Sequence, residues 1–239
     1  MIFSCLLTGV GSREPVSFGV PGAAGSEVIG NVCSRGSFPE TVFMSRLLGA
    51  AALAKGFDVR GFDSADMAQW GGSVVSHIRL GQNIQSPLIP RGKADLIIAL
   101  EPAEAVRVHS FLSPTGKIVV LDRAIYNRAI LPEIGMKGEK KYVPGEMLAY
   151  LKEFFSHPSE ERAAHKEEGE WLTVVSSEAL IKTCGSSQYL AAALLGAAAE
   201  KKLFPFTAED ILAVLKENNA PESLDINIRA FNAGREFAG

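Results

Sequence analysis

The chain has 239 residues, 24 lysines and arginines against 27 acidic residues, and a formal net charge of -3. Its length is enough for one large domain or two small ones with a buried core, and its hydrophobic share of 47% is that of an ordinary globular protein. Basic residues scattered among acidic ones exclude the basic field that nucleic-acid binding needs, and three cysteines (Cys5, Cys33, Cys184) without C-x-x-C spacing exclude a zinc site or iron–sulfur cluster built from this chain alone.

The opening MIFSCLLTGVG is apolar but too short for a membrane span, and it lacks the basic flank and cleavage pattern of a secretory signal. It reads as a buried strand, Ile2 to Thr8, running into Gly9-Val10-Gly11 as central parallel strands run into a phosphate-facing turn. No other stretch reaches membrane-spanning length, and unpatterned cysteines suit a reducing compartment, so a cytoplasmic protein is expected. The helix due after the turn is delayed by residues 12–40, rich in Gly, Ser and Pro. That inserted loop is either a lid or partner-embracing arm, or a plain surface insertion. The helix begins at Thr41, with Val42, Leu47, Leu48, Ala51 and Ala52 on its apolar face, and Gly56 stops it.

Phe57 to Phe62 is a second strand. The turn at Asp66-Met67-Ala68-Gln69-Trp70-Gly71-Gly72 leads into alternation, with Val74, Ser76, Ile78 and Leu80 on one side and Ser73, Val75, His77 and Arg79 on the other. Gly81-Gln82-Asn83 reads as a reversal and Ile84 to Pro90 as a returning edge segment, together an antiparallel hairpin. Ala94 to Leu100 is a buried strand, and Glu101-Pro102 opens a helix through Leu112. Ser113 to Gly116 breaks it, and Lys117 to Leu121 is the next strand. Leu131 to Tyr142 is a linker carrying Lys137, Lys140 and Lys141, Pro144 to Phe155 a helix, and Pro158 to Glu170 a charged, solvated connector. Trp171 to Ser176 is a strand and Ser177 to Thr183 a helix closed by Gly185. Tyr189 to Lys201 is a helix apolar all round, with cover expected from several neighbours, another chain among them. Thr207 caps a helix through Glu217, and Asn227, Arg229, Phe231 and Asn232 read as a polar tail.

The expected fold is α/β: a doubly wound, mostly parallel Rossmann-like sheet with an added antiparallel hairpin and a helical C-terminal region. Residues 1–185 would form the α/β domain, and residues 186–239 the helical region packed on it.

The run MAQWGGSVVSHIRLG, Met67 to Gly81, and the run SPLIPRGKADLIIALEPAEAVR, Ser86 to Arg107, resemble the gamma-subunit family of 2-oxoacid:ferredoxin oxidoreductases, in particular the small subunits of the indolepyruvate type. The resemblance covers Met1 to Gly11, resumes near Thr41 and continues to the C-terminus, weakening between Leu131 and Trp171. It implies oxidative decarboxylation of an aryl 2-oxoacid to an acyl-coenzyme A, with electrons passed to ferredoxin. It further implies that this chain alone binds no cofactor: thiamine diphosphate and [4Fe-4S] clusters belong to a large partner subunit, and coenzyme A is the co-substrate. Neither nucleic acid nor membrane is an expected partner.

The residues expected to meet cofactor or substrate are Gly9, Gly11, Gln69, Gly71, Gly72, Ser73, His77, Arg79 and Glu101. Small residues and amides at a strand entrance make a shallow polar cradle, or simply a tight turn. His77 is a proton donor, a substrate contact or a hydrogen-bonded structural residue; Arg79 pairs with an anion or lies at the surface; Glu101 faces a ligand at a strand's carboxyl end or complements the helix dipole. The lysine cluster at 137–141 is either a phosphate or ferredoxin contact or solvated linker. No nucleophile-elbow sequence supports hydrolysis, and His109, His157 and His165 lack metal-ligand spacing. Two other functions fit parts of the sequence: a free-standing dinucleotide oxidoreductase with Asp63 at the ribose, and an assembly module without ligand contact.

Overall fold

The computed structural model describes residues 2–10, 40–64, 72–124, 143–156, 171–218 and 221–238. Six strands form one sheet: β1 (Phe3–Val10), β2 (Asp58–Ser64), β3 (Ser73–Gly81), β4 (Ala94–Ala99), β5 (Leu112–Leu121) and β6 (Leu172–Val175), in the order β2-β3-β1-β4-β5-β6. β3 is antiparallel to both β1 and β2, whereas β1, β4, β5 and β6 pair in parallel. The mostly parallel α/β architecture is therefore the observed one, with β3 alone running against the rest.

Helices cover both faces because the central strands are apolar on both. Cys5, Leu7, Leu96, Ile98, Val119 and Leu121 point into one core with α1 (Glu40–Ala54), α4 (Ser177–Cys184), α5 (Leu190–Glu200), α6 (Ala208–Asn218) and α7 (Pro221–Ala238). Leu6, Ile97, Ala99, Ile118 and Val120 point into the other, against Ala105 and Val108 of α2 (Pro102–Val108), Leu151 and Phe155 of α3 (Pro144–Ser156), and Trp171. α1 starts one residue before the expected Thr41 and ends before Gly56, whose φ of +79° an L-residue would adopt only with strain.

Three expectations are corrected. Ile84 to Pro90 is not a return strand. Both edges of β3 are taken by β1 and β2, so no ladder is left for a third strand, and Pro87 and Pro90 could not have donated to one. The hairpin is formed by β2 and β3 instead. The helix from Pro102 stops at Val108, with a 3-10 turn over His109–Phe111, and Ser113 to Gly116 lies inside β5 rather than in a break. Gly116 is required there, since a Cβ would lie 2.6 Å from the Ala94 carbonyl oxygen, next to the register shift between β4 and β5.

The third concerns the C-terminus. The expected polar tail is helix α7, in which Asn227 and Phe231 are buried. Asn227, Ala230, Phe231 and Gly234 recur at helical spacing, a stripe concealed by the polar residues between them. That stripe covers α5, whose residues 190–199 are all buried, so much of the cover expected partly from another chain comes from α7. The two helices touch backbone to backbone: a Cβ on Gly196 would lie 2.8 Å from the Phe231 carbonyl carbon, and one on Gly234 2.6 Å from that of Ala193. Residues 65–71, 125–142, 157–170 and the 12–39 part of the inserted loop lie outside the described residues, and with them Gly11, Gln69, Gly71 and the lysine cluster.

Candidate functional site

From β1 the chain passes through α1 to β2 on one side of the sheet, while β4, β5 and β6 extend on the other. The direction of winding reverses between β1 and β4, and open α/β sheets place ligands at the carboxyl ends of such strands. Thr8, Gly9 and Val10 lie at the end of β1, Leu100 and Glu101 just beyond β4, and Ser73 at the antiparallel start of β3, opposite Val10.

The residue that joins these segments is Glu104, which the sequence reading did not single out. It is 1% exposed. Its Oε2 accepts hydrogen bonds from Thr8 Oγ1 at 3.0 Å and from Ser73 Oγ, and its Oε1 accepts from Arg107 Nε at 3.0 Å. A buried carboxylate is tolerated when its lone pairs are satisfied in this way. The available signal was a carboxylate at the third position of a short helix after a buried strand, which ordinarily complements the helix dipole.

The structure divides the expected site residues. Gly9, Gly72, Ser73 and Glu101 belong to the carboxyl-end crevice. Gly9 answers to packing, because a Cβ there would come within 2.5 Å of Leu100 Cδ1. Glu101 is buried and precedes α2 in extended conformation without a side-chain cap. Arg79 pairs with Ser4 at the far end of β1, about 20 Å along the strand from Ser73 at the usual rise. Its Nη1 donates to the Ser86 carbonyl at 3.0 Å. His77 lies between: its Nδ1 accepts the Ile89 amide at 3.2 Å, and its ring meets Phe111 edge-on at 5.7 Å. Burial pushes the His77 pKa below the ordinary value, and an accepting Nδ1 places the proton of the neutral ring on Nε2. His77 and Arg79 thus hold the 84–90 segment against the sheet.

Among the described residues, the carboxyl end of β1 and β4 offers buried carboxylates and hydroxyls, and Arg107 is engaged by Glu104. An anion would face like charge in a poorly solvated place. A dinucleotide ribose would also find Asp63 remote, since β3 separates β2 from β1 and two strand spacings amount to about 10 Å. A second cleft of about 490 Å³, lined by Arg123, Ala124, Pro144, Ser177, Glu178 and Ile181, opens beyond β5 and β6. There Asp122 already caps α4, its Oδ1 accepting from the Ser177 amide at 2.8 Å and hydroxyl at 2.7 Å. Among the described residues no group of three or more His, Cys, Asp or Glu is placed to hold a metal ion, and no helix is long and apolar enough to cross a membrane.

A doubly wound sheet with one inverted strand at its switch point, tied there by a carboxylate and two hydroxyls, defines a mixed, mostly parallel α/β fold. Comparison with known proteins makes the class specific. The family described as pyruvate ferredoxin/flavodoxin oxidoreductase matches residues 41–237, and the chain belongs to that family.

Its curated relatives include indolepyruvate oxidoreductase subunit IorB of Methanothermobacter thermautotrophicus, 31% identical over 192 residues (80% of this chain, 87% of the relative). Subunit IorB of Thermococcus kodakarensis is 27% identical over 194 residues (81% and 88%). Among solved structures, the fold is similar to the 2-oxoglutarate:ferredoxin oxidoreductase of Magnetococcus marinus, solved with 2-oxoglutarate, coenzyme A and succinyl-CoA bound (TM-score 0.57, 16% identity, 99% of this chain). The chain spans 31% of that longer polypeptide. It also matches the pyruvate oxidoreductase subunit PORC of Thermotoga maritima (TM-score 0.52, 15% identity), covering 99% of this chain and 96% of that one. The IorB and PORC relatives are named as oxidoreductase subunits.

Proposed function

We propose that this chain is the small subunit of an indolepyruvate-type 2-oxoacid:ferredoxin oxidoreductase and acts with a large partner subunit. The complex would decarboxylate an aryl 2-oxoacid, join the acyl group to the thiol of coenzyme A, and pass the released electron pair to ferredoxin. The observation that carries this reading is the match to IorB subunits over about four fifths of the chain and most of their own length. Iron–sulfur clusters are assigned to the partner because a [4Fe-4S] cluster takes four thiolates and this chain has three cysteines. Of these, Cys5 is enclosed in β1, where burial, reinforced by Asp95, pushes its thiol pKa far up. Thiamine diphosphate is assigned to the partner with them.

The share of this chain is to close the active site with its carboxyl-end shoulder, where Ser73 pairs with Val10 and Gly72 precedes it, and with Gly9, Gly11, Gln69, Gly71 and Glu101. His77 and Arg79 are read as support, since His77 Nδ1 and Arg79 Nη1 bond to the 84–90 backbone. Coenzyme A phosphates would be met elsewhere than at the switch point, whose carboxylates repel them.

The test is purification of the tagged chain from its native host, followed by assay of indolepyruvate with coenzyme A and ferredoxin. A co-purifying large subunit that carries thiamine and iron, with turnover confined to the complex, is the expected result. Iron, thiamine or turnover in the isolated chain would contradict the division of labour.

A further inference from the structure

We infer that Glu104 is a positioning residue for the reaction of the complex, pinning the Gly72–Ser73 shoulder to the end of β1; the inference rests on the function proposed above. Its carboxylate gathers hydroxyls from two strands that run in opposite directions, Thr8 of β1 and Ser73 of β3, onto one oxygen, while Arg107, one turn further along α2, holds the other. Thr8 is itself tied to the neighbouring segment, since its carbonyl accepts the Leu100 amide at 3.0 Å. One side chain therefore connects β1, β3 and α2 at the point where the sheet changes its direction of winding.

Support for the fold alone does not explain the choice of residue. An apolar side chain of similar size would fill the space without the desolvation cost of a buried carboxylate. What a charged acceptor adds is direction: hydroxyls that must point at one oxygen leave their backbones little freedom. Ser73 is where this matters. Ser73, the first residue of β3, is paired with Val10, the last of β1, and Gly72 lies just outside the described ladder. The Glu104 bond holds the side chain of Ser73, the first residue of β3.

The experiment uses the complex with its large subunit and the variants Glu104→Ala, Glu104→Gln, Ser73→Ala and Thr8→Val. Thr207→Ala, on the far α6 cap, serves as a destabilised control. Two readouts are needed: amide exchange at residues 72–75, and kcat and KM for the 2-oxoacid. Glu104→Ala and Ser73→Ala should accelerate exchange at 72–75 and lower kcat about tenfold or more, the scale expected when a reacting surface is misplaced by a fraction of an ångström. Assembly and the KM for ferredoxin should be unchanged. Glu104→Gln should recover part of the loss, since its amide oxygen still accepts. Thr207→Ala should lose stability and keep kcat.

Parental exchange and kcat in both Glu104→Ala and Ser73→Ala would overturn the inference, as would losses no greater than those of the control. Should Glu104→Ala not fold, Ser73→Ala and Thr8→Val decide on the same readouts. Should the parent complex turn over no 2-oxoacid, the functional proposal fails, and exchange at 72–75 then decides on Glu104 by itself.

Discussion

Replacing Gly234 by alanine adds one methyl group where there is no room for it. The new Cβ would fall on the Ala193 carbonyl, 2.6 Å from its carbon, so α5 and α7 would have to part by about 1.5 Å to restore ordinary contact. Gly196 presents the same problem in reverse against Phe231. Helix propensity works the other way, since alanine inside a helix is favoured over glycine by about 1 kcal/mol. The two effects differ in sign, so the experiment discriminates. Overpacking of a core typically costs about 1–3 kcal/mol, and the upper end applies because the obstacle is backbone rather than a side chain that can turn away.

A net loss of about 2 kcal/mol is therefore expected for either substitution. It would be read in urea as a lower midpoint at unchanged slope, or as a fall in Tm of about 4–8 °C. The double variant should lose less than the sum, because one separation of the helices relieves both overlaps. A Gly234→Ala protein more stable than its parent would refute the backbone-to-backbone crossing and return α7 to a loosely applied helix.

Other outcomes follow from single groups. Because burial holds the His77 pKa below the ordinary value of 6.5, its contribution to stability is present above pH 6.5 and lost as pH falls through the lower folded value. Protonation at Nδ1 removes the acceptor of the Ile89 amide, so exchange at Ile89 should quicken on acidification, and His77→Phe should abolish that pH dependence. Thr207→Ala removes a reciprocal cap, in which Asp210 accepts from the Thr207 amide and hydroxyl, each at 2.8 Å, and its own amide donates to that hydroxyl; a loss of about 1 kcal/mol in denaturant melts is expected. The same bonds hold Asp210 below the usual carboxylate range, so the cap's contribution should persist to more acid pH than an ordinary aspartate would allow, and vanish as pH falls through that lowered value. Gly9→Ala should cost about 1–3 kcal/mol by crowding Leu100, and that cost should be smaller when measured in a Leu100→Ala background, as a double-mutant cycle of thermal melts would show.

Much of this protein was legible before any coordinates. Runs of apolar residues marked β1, β4 and the core of β5; periodicity and stop signals marked α1, α3, α4, α5 and α6; Thr207 announced its cap. These features are local, and the residues that cause them lie within one turn or one strand of each other. The family likeness was readable for the same reason, since Met67 to Gly81 is a continuous run.

Pairing was not legible. Alternation in Ser73 to Leu80 specifies a strand and its two faces but not its neighbours, and only the assembled sheet shows that β1 and β2 take both edges and leave Ile84 to Pro90 to be held by His77 and Arg79. Nor could sequence separate the expected site residues, because Ser73 and Arg79 lie six positions apart in one motif and at opposite ends of the sheet. Glu104 was hidden for a further reason. Its importance comes from Thr8 and Ser73, which are 96 and 31 residues away in the chain, and a hydrogen bond across that separation leaves no local pattern. Short-range physics chose the elements of this fold; the meeting of distant polar groups at the turn-point of the sheet required the elements to be packed.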